Sequence, residues 1–554
     1  MWYLSRSGRP LGFALLAVGG LGSSVAAQSV RAPLQLGKGG SKAVRIEQRI
    51  IPYELGFEYT ANRFRAVALA SEFYMAPGGI DWSGDGDPFD DVIIEHELAT
   101  GVTQVIGIDA ASLALGSGFM AMTRLEASSD VDFNGDGDYV DSFLFIRNNV
   151  TGALSMGRPA LSVWDAAGDF IDTYVDSSSA GVHELHSVSA GTHRRFRAAH
   201  LSVLDPFGAV YRQSELFAGD INGDGDTEDR LAVACSDPAG PVVFSDVSID
   251  SVVLASPEWV LCRRSELSSG GDQNGDGDIF DDVLIAMERA TGTTRIAGVM
   301  DAEPLRQYQL AGRYLFLRNT EGFSGDQNAD GDTDDKFLEA IDLATGQRRS
   351  WSFDGAVVAS IGNTGLVLIP ETELGVDVTG NGNMNDWIAH VADHGSGTLR
   401  PLGFAGDPGE SGYLTAGHAV FHLPEVSLGT PLNGDMDTFD NVMIAINLAN
   451  GRERIVPHRL LDLAPPAYPN GTVGFQVHED FAYDLNGDAV ATDRTAGVLT
   501  LASGEITLGR GSGPRWVQGA GGNYLYTVDE NILGADVDGN GVSYNWLGGI
   551  FVVR

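Results

Sequence analysis

A ten-residue acidic segment that returns about every 50 residues constrains this chain more than any other feature. Five copies read almost alike: DWSGDGDPFD from Asp81, DFNGDGDYVD from Asp132, DINGDGDTED from Asp220, DQNGDGDIFD from Asp272 and DQNADGDTDD from Asp326. Four looser copies follow: DVTGNGNMND from Asp377, PLNGDMDTFD from Pro431, DLNGDAVATD from Asp484 and DVDGNGVSYN from Asp536. Only the step from Asp132 to Asp220, at 88 residues, breaks the interval. One supersecondary unit is therefore used many times, and its neighbours supply the burial that it cannot achieve alone.

The residues around each segment say what the unit is. A glycine stands 20 positions after each of eight starts (Gly101, Gly152, Gly240, Gly292, Gly346, Gly397, Gly451 and Gly504), with a short apolar run on either side, such as Val283 to Met287. That is a hairpin. Another strand-like run precedes each acidic segment, as in Arg313 to Leu317, and a less regular one precedes that. Four short strands per unit make a propeller blade, so the chain reads as an all-β propeller of about nine or ten blades over residues 28–554. An open β-solenoid and two smaller rings are the alternatives. The ninth glycine would fall beyond Arg554, leaving the last blade without its fourth strand, and the run Ala43 to Ile51 can fill that gap and close the ring. The long step predicts an inserted hairpin or a blade without its loop, around residues 153–210.

Carboxylates at alternating positions 1, 3 and 5 of a tight loop, a glycine at 6 and an acid at 10 meet the needs of a hard cation. The candidate ligands are Asp81, Ser83, Asp85, Asp87 and Asp90; Asp132, Asn134, Asp136, Asp138 and Asp141; Asp220, Asn222, Asp224, Asp226 and Asp229. They continue with Asp272, Asn274, Asp276, Asp278 and Asp281; Asp326, Asn328, Asp330, Asp332 and Asp335; Asp484, Asn486, Asp488 and Asp493; and Asp536, Asp538 and Asn540. A carbonyl at position 7 can add a further oxygen. Calcium suits six to eight oxygens in flexible geometry, and the absence of Cys and His from the loops disfavours zinc. We expect about five to eight calcium ions in all, with the loop at Pro431 empty because proline offers no ligand. A glutamate also precedes every loop, and Glu266 and Glu321 are candidates for an additional ligand; a salt bridge or a turn cap is the alternative role.

Charge supports the same reading. The chain has 554 residues and a formal charge of −40, and the nine loops hold 32 acidic residues with no Lys or Arg. So many like charges in so few residues oppose folding unless cations neutralise them. The acidity also excludes a nucleic-acid or anionic-membrane binder, which needs a basic face. With 43% hydrophobic residues the chain buries a core and is not a disordered acidic tail.

The loops resemble the calcium loops in the propellers of integrin α-subunits, although the phenylalanine-glycine and glycine-alanine-proline signatures of those repeats are not evident. The hairpin Asp342 to Gly346 after the strand Gly312 to Leu317 resembles bacterial TolB-like and WD-repeat blades. These resemblances imply a calcium-stabilised propeller and leave the ligand open.

Arg6 and Arg9, the apolar stretch from Leu11 and the small residues Val25 to Ala27 read as a secretory signal over residues 1–27. The mature chain is then secreted, periplasmic or at the cell surface, with no membrane span. Cys235 and Cys262 form either one disulfide or two buried thiols. No serine-hydrolase elbow, zinc-protease helix or phosphate loop occurs. His183, His186, His193 and His200, beside Arg194, Arg195 and Arg197, form the one candidate ligand or anion site outside the loops. The leading expectation is an exported, non-enzymatic binding or adhesion module for an unknown protein or glycan. A propeller hydrolase or lyase acting on polysaccharide or phosphate esters, and a structural envelope protein, are the alternatives.

Overall fold

The computed structural model describes residues 46–553 except 55–58, 62–63, 73–80, 177–180, 198, 218, 224, 270, 276, 301–307, 325, 328–330, 332–334, 434–435, 465–470, 479–493, 510–511, 521–522 and 530–545. The expected signal segment, the loops at Asp484 and Asp536, and Asp224, Asp276, Asn328, Asp330 and Asp332 lie outside the described residues.

Each repeat folds as a four-stranded antiparallel sheet whose strands pair in chain order, because short apolar runs separated by tight turns favour pairing with the nearest neighbour. Eight sheets stand separately, over residues 59–109, 112–159, 162–197, 199–244, 251–300, 308–351, 356–406 and 413–456. Residues 460–508 and 512–553 form two more, joined through the pair Arg494 and Ser512. We number these ten sheets as blades 1 to 10.

Blade packing closes a ring. The third strand of a blade is apolar on both faces, as Asp282–Glu288 shows with its five buried central residues, so it needs a neighbour on each side. An apolar cluster fills each of the ten gaps between successive blades. The cluster that joins the last blade to the first sets Ile550 against Ala66, Ala70, Val92 and Ile94. The strand Ile46–Glu54 pairs antiparallel with Trp546–Val553, from Ile46 opposite Val553 to Ile51 opposite Gly548. The start of the chain thus provides the fourth strand of blade 10, as expected, and neither an open solenoid nor two rings fits this closure.

The 88-residue step is resolved as an additional blade without an acidic loop. In blade 3 the second strand, Phe170–Asp176, reaches the third, Val182–Ser187, through residues 177–181 alone. First strands of neighbouring blades approach one another around the ring, which places them at the axis, and the fourth strand of blade 2, Leu154–Pro159, is exposed throughout. Each acidic loop among the described residues joins a second strand to a third, so these loops emerge on one end of the ring. Cys235 and Cys262 are buried free thiols in blades 4 and 5. Among the described residues no helix is long and apolar enough to cross a membrane.

Candidate metal centre

The acidic loop is shaped by its glycines and by its first carboxylate. Positions 4 and 6 carry positive φ, at 76° and 98° for Gly135 and Gly137 and at 86° and 100° for Gly275 and Gly277, a region that costs other residues energy. Where Met436 replaces the second glycine it still adopts a φ of 79°. The turn brings two amides onto position 1: Gly135 donates to Asp132 Oδ1 at 2.5 Å and Gly137 to Oδ2 at 2.9 Å. The same pair of bonds holds Asp81, Asp220, Asp272 and Asp377. Position 3 reaches across the loop, as Asn134 Nδ2 donates to Asp141 Oδ2 at 2.6 Å.

The glutamate ahead of each loop is the best-buried acid of the repeat. Glu72, Glu126, Glu215, Glu266, Glu321, Glu371 and Glu425 are each at most 1% exposed, and all but Glu72 open a single helical turn. One carboxylate oxygen accepts the amides at the start of the loop: Ile221 and Asn222 donate to Glu215 Oε1 at 2.6 and 3.0 Å. Val378 and Thr379 do the same for Glu371 at 2.6 and 2.9 Å, and Leu432 and Asn433 for Glu425. The turn-cap role is therefore real, and it extends to the loop at Pro431. It uses only half of the carboxylate: Oε2 of Glu72, Glu215 and Glu371 is buried and has no hydrogen-bond partner.

Three of the glutamates sit beside other acids. Glu215, Asp226 and Asp229 bring one oxygen each within 4.8 Å of one another, as do Glu126 with Asp138 and Asp141, and Glu266 with Asp278 and Asp281. In the first loop Asp85, Asp87 and Asp90 converge in the same way. Crowding and burial oppose ionisation. Asp90 is pushed up to about 7, first by desolvation and then by its hydrogen bond to Asp85 and neighbouring charges. Desolvation also raises Glu72 and Glu371 against the pull of the amides they accept. Asp141 rises by desolvation and by repulsion from Asp136, Glu126 and Asp138.

Among the described residues, three loops bring together the carboxylates of positions 7 and 10 and the preceding glutamate, and the first loop those of positions 5, 7 and 10, while position 1 accepts loop amides. Each of these aspartates is among the candidate ligands that the sequence spacing names. The recurrence of glutamate, including Glu126 and Glu215, is the signal that leads to the buried member of these groups. A set composed only of carboxylates, with a buried oxygen left over, fits a hard divalent cation.

The histidine group divides in two, because residues three apart on a strand face opposite ways. His183 turns toward blade 4, where its Nδ1 lies 2.7 Å from Asp172 Oδ2 while Tyr211 donates to Oδ1 at 2.6 Å. His200 joins it around Trp164, with ring centroids 5.7 and 6.5 Å from the indole. His186 and His193 lie 6.0 Å apart on the other face, beside the buried Glu184 and the two arginines, Arg158 and Arg195, that pair with it. Burial lowers His186 to about 4. The four rings share no common centre.

No family model matches the chain, and no curated protein matches it. Among solved structures, the chain is similar to the β-propeller domain of the Trilobed protease from Pyrococcus furiosus at 8% identity and a TM-score of 0.28, over 72% of this chain and 94% of that one. It is similar to the acylaminoacyl peptidase of Pyrococcus horikoshii at 9% identity and a TM-score of 0.27, over 75% of this chain and 57% of the peptidase. For a putative TolB from Agrobacterium tumefaciens the values are 8% and 0.25, over 46% and 76% of the two chains. At such values the propeller assignment rests on the strand order and ring closure described above.

Proposed function

We propose that this protein is an exported, calcium-loaded β-propeller that acts as an extracellular binding or adhesion module. The carrying observation is Glu215: fully buried, braced through Oε1 by two loop amides, left with an unpartnered Oε2, and placing one of its carboxylate oxygens within 4.8 Å of oxygens of Asp226 and Asp229. Leaving such an oxygen unmatched costs about 1–3 kcal/mol, and a calcium ion supplies the missing partner while relieving the repulsion around it. A binding role is supported by what the loops display. Position 9 carries a large exposed apolar side chain in several loops, Phe89 at 72%, Val140 at 81%, Phe280 at 79% and Phe439 at 88%, all on the cation-binding end of the ring. Side chains so placed add nothing to the core and are available to a partner.

Titration calorimetry on chelator-treated protein tests the metal reading. Calcium at ten times its dissociation constant stabilises by about 1.4 kcal/mol per site, so five strong loops give about 7 kcal/mol. For a chain of this length that raises the melting temperature by about 7 °C. Stoichiometric calcium uptake with such a shift is expected; an unchanged melting temperature between chelated and calcium-loaded protein overturns the proposal.

A further inference from the structure

In blade 3, whose second and third strands are joined by residues 177–181, the first strand carries an exposed tryptophan in an aromatic notch. In the first strand of five blades the register slips by one residue, a β-bulge that turns the extra side chain out of the ladder. The extra residues are Ser202, Val253, Val358 and Leu461, each at least partly buried, and in blade 3 Trp164, which is 54% exposed. Trp164 lies near the loop end of its strand, Ser162–Ala167, where the neighbouring blades carry Glu126–Asp141 and Glu215–Asp229 as connections and blade 3 has only residues 177–181. The indole is thus exposed where the equivalent side chains of four loop-bearing blades are at least partly buried, Val253 and Val358 against the blade that follows.

Its surroundings are aromatic and acidic. Tyr174 approaches at 6.2 Å with a 49° tilt, and His183 and His200 meet the indole edge-on. Asp165 follows Trp164 and is exposed, yet desolvation by the surrounding protein and repulsion from the buried Asp172 raise its carboxyl. The three strands that build the notch, Ser162–Ala167, Phe170–Asp176 and Ala199–Asp205, contain no Lys or Arg. Arg212, on the next strand, donates to the Asp250 carbonyl.

An exposed indole face beside an unneutralised carboxylate attracts a weakly hydrated cation, since the ring quadrupole and the carboxylate act with the same sign. We propose that this notch binds an organic cation of the alkylammonium class, taken on the face of Trp164 and neutralised by Asp165. It is independent of the metal loops, which blade 3 lacks.

The test is calorimetric titration of the calcium-treated mature chain with choline and with its uncharged isostere, 3,3-dimethyl-1-butanol. Choline should bind and the isostere should bind at least about tenfold more weakly. Trp164→Ala and Trp164→Leu should each weaken choline by about tenfold, and Asp165→Asn by several-fold, with unaltered melting temperatures. Trp164→Leu keeps an apolar side chain and removes only the π face, so choline binding retained in that variant overturns the proposal. Equal binding of the isostere, which marks a merely apolar patch, overturns it, as does a neutral oligosaccharide binding where choline does not.

Discussion

Replacing Glu215 by glutamine separates bracing from metal binding, because the two roles respond with opposite signs. Glutamine keeps an oxygen for the Ile221 and Asn222 amides and removes the negative charge beside Asp226 and Asp229. At 4.8 Å and an effective dielectric constant near 20, each fully charged pair removed is worth about 3 kcal/mol. Asp226 is exposed, and screening reduces this to about 1 kcal/mol. The metal-free variant should therefore be as stable as the parent or more so by about 1 kcal/mol, while calcium at that loop loses a carboxylate and should bind at least about tenfold more weakly. Unfolding a chain of this length carries an entropy of about 1 kcal/mol per kelvin, so one site moves the melting temperature by only about 1 °C. Titration calorimetry is accordingly the deciding assay, and the triple variant Glu126→Gln, Glu215→Gln, Glu266→Gln amplifies the thermal effect. A variant that is less stable without metal and binds calcium as tightly as the parent refutes the ligand role and leaves the glutamate as a brace.

Met436→Gly should stabilise the protein by about 1 kcal/mol, since the side chain is 91% exposed and sits at a φ of 79° that glycine adopts freely; a loss of stability on denaturant titration contradicts this. His390 is buried, bonded through Nδ1 to the Ile388 carbonyl, and lowered by burial to about 4 from an ordinary 6.5. Its folded value is depressed, so its contribution is full above pH 6.5 and is lost as pH falls toward 4, by at most about 3 kcal/mol. His390→Asn should flatten that part of the stability profile, and an identical slope in both proteins rejects the assignment. Ile550→Ala should cost about 2–5 kcal/mol, as for a residue in any other blade interface. A cost below about 1 kcal/mol would mean that the ring is open between blades 10 and 1.

The repeat was legible because its chemistry restricts the choice of residue. A loop that needs positive φ at two positions selects glycine, and one that concentrates oxygen ligands selects aspartate, so both leave a mark at fixed spacing. The turn glycines do likewise: Gly101, Gly292 and Gly346 have φ of 77°, 78° and 75°, whereas Gly240, which follows an irregular turn, is not among the positive-φ glycines. The division of labour among the acids was less legible. Spacing marks which carboxylates can converge, but not that amides from positions 4 and 6 hold the first one, or that in three loops a glutamate from the preceding turn faces the acids of positions 7 and 10.

Strand alternation would have separated the histidines in advance, since His183 and His186 are an odd number of residues apart on one strand. What no local pattern shows is the bulge at Trp164. A bulge arises from a mismatch between two paired strands, and SVWDAA differs little from its counterparts in other blades until its pairing with Phe170–Asp176 is known. The connection of blade 3 departs from the repeat as well. Nine blades carry an acidic segment between the second and third strands, whereas blade 3 has five residues there and an exposed tryptophan on its first strand. Departure from the repeat is thus where a sequence of near-identical units has room for a second function, because the other blades already hold the ring closed.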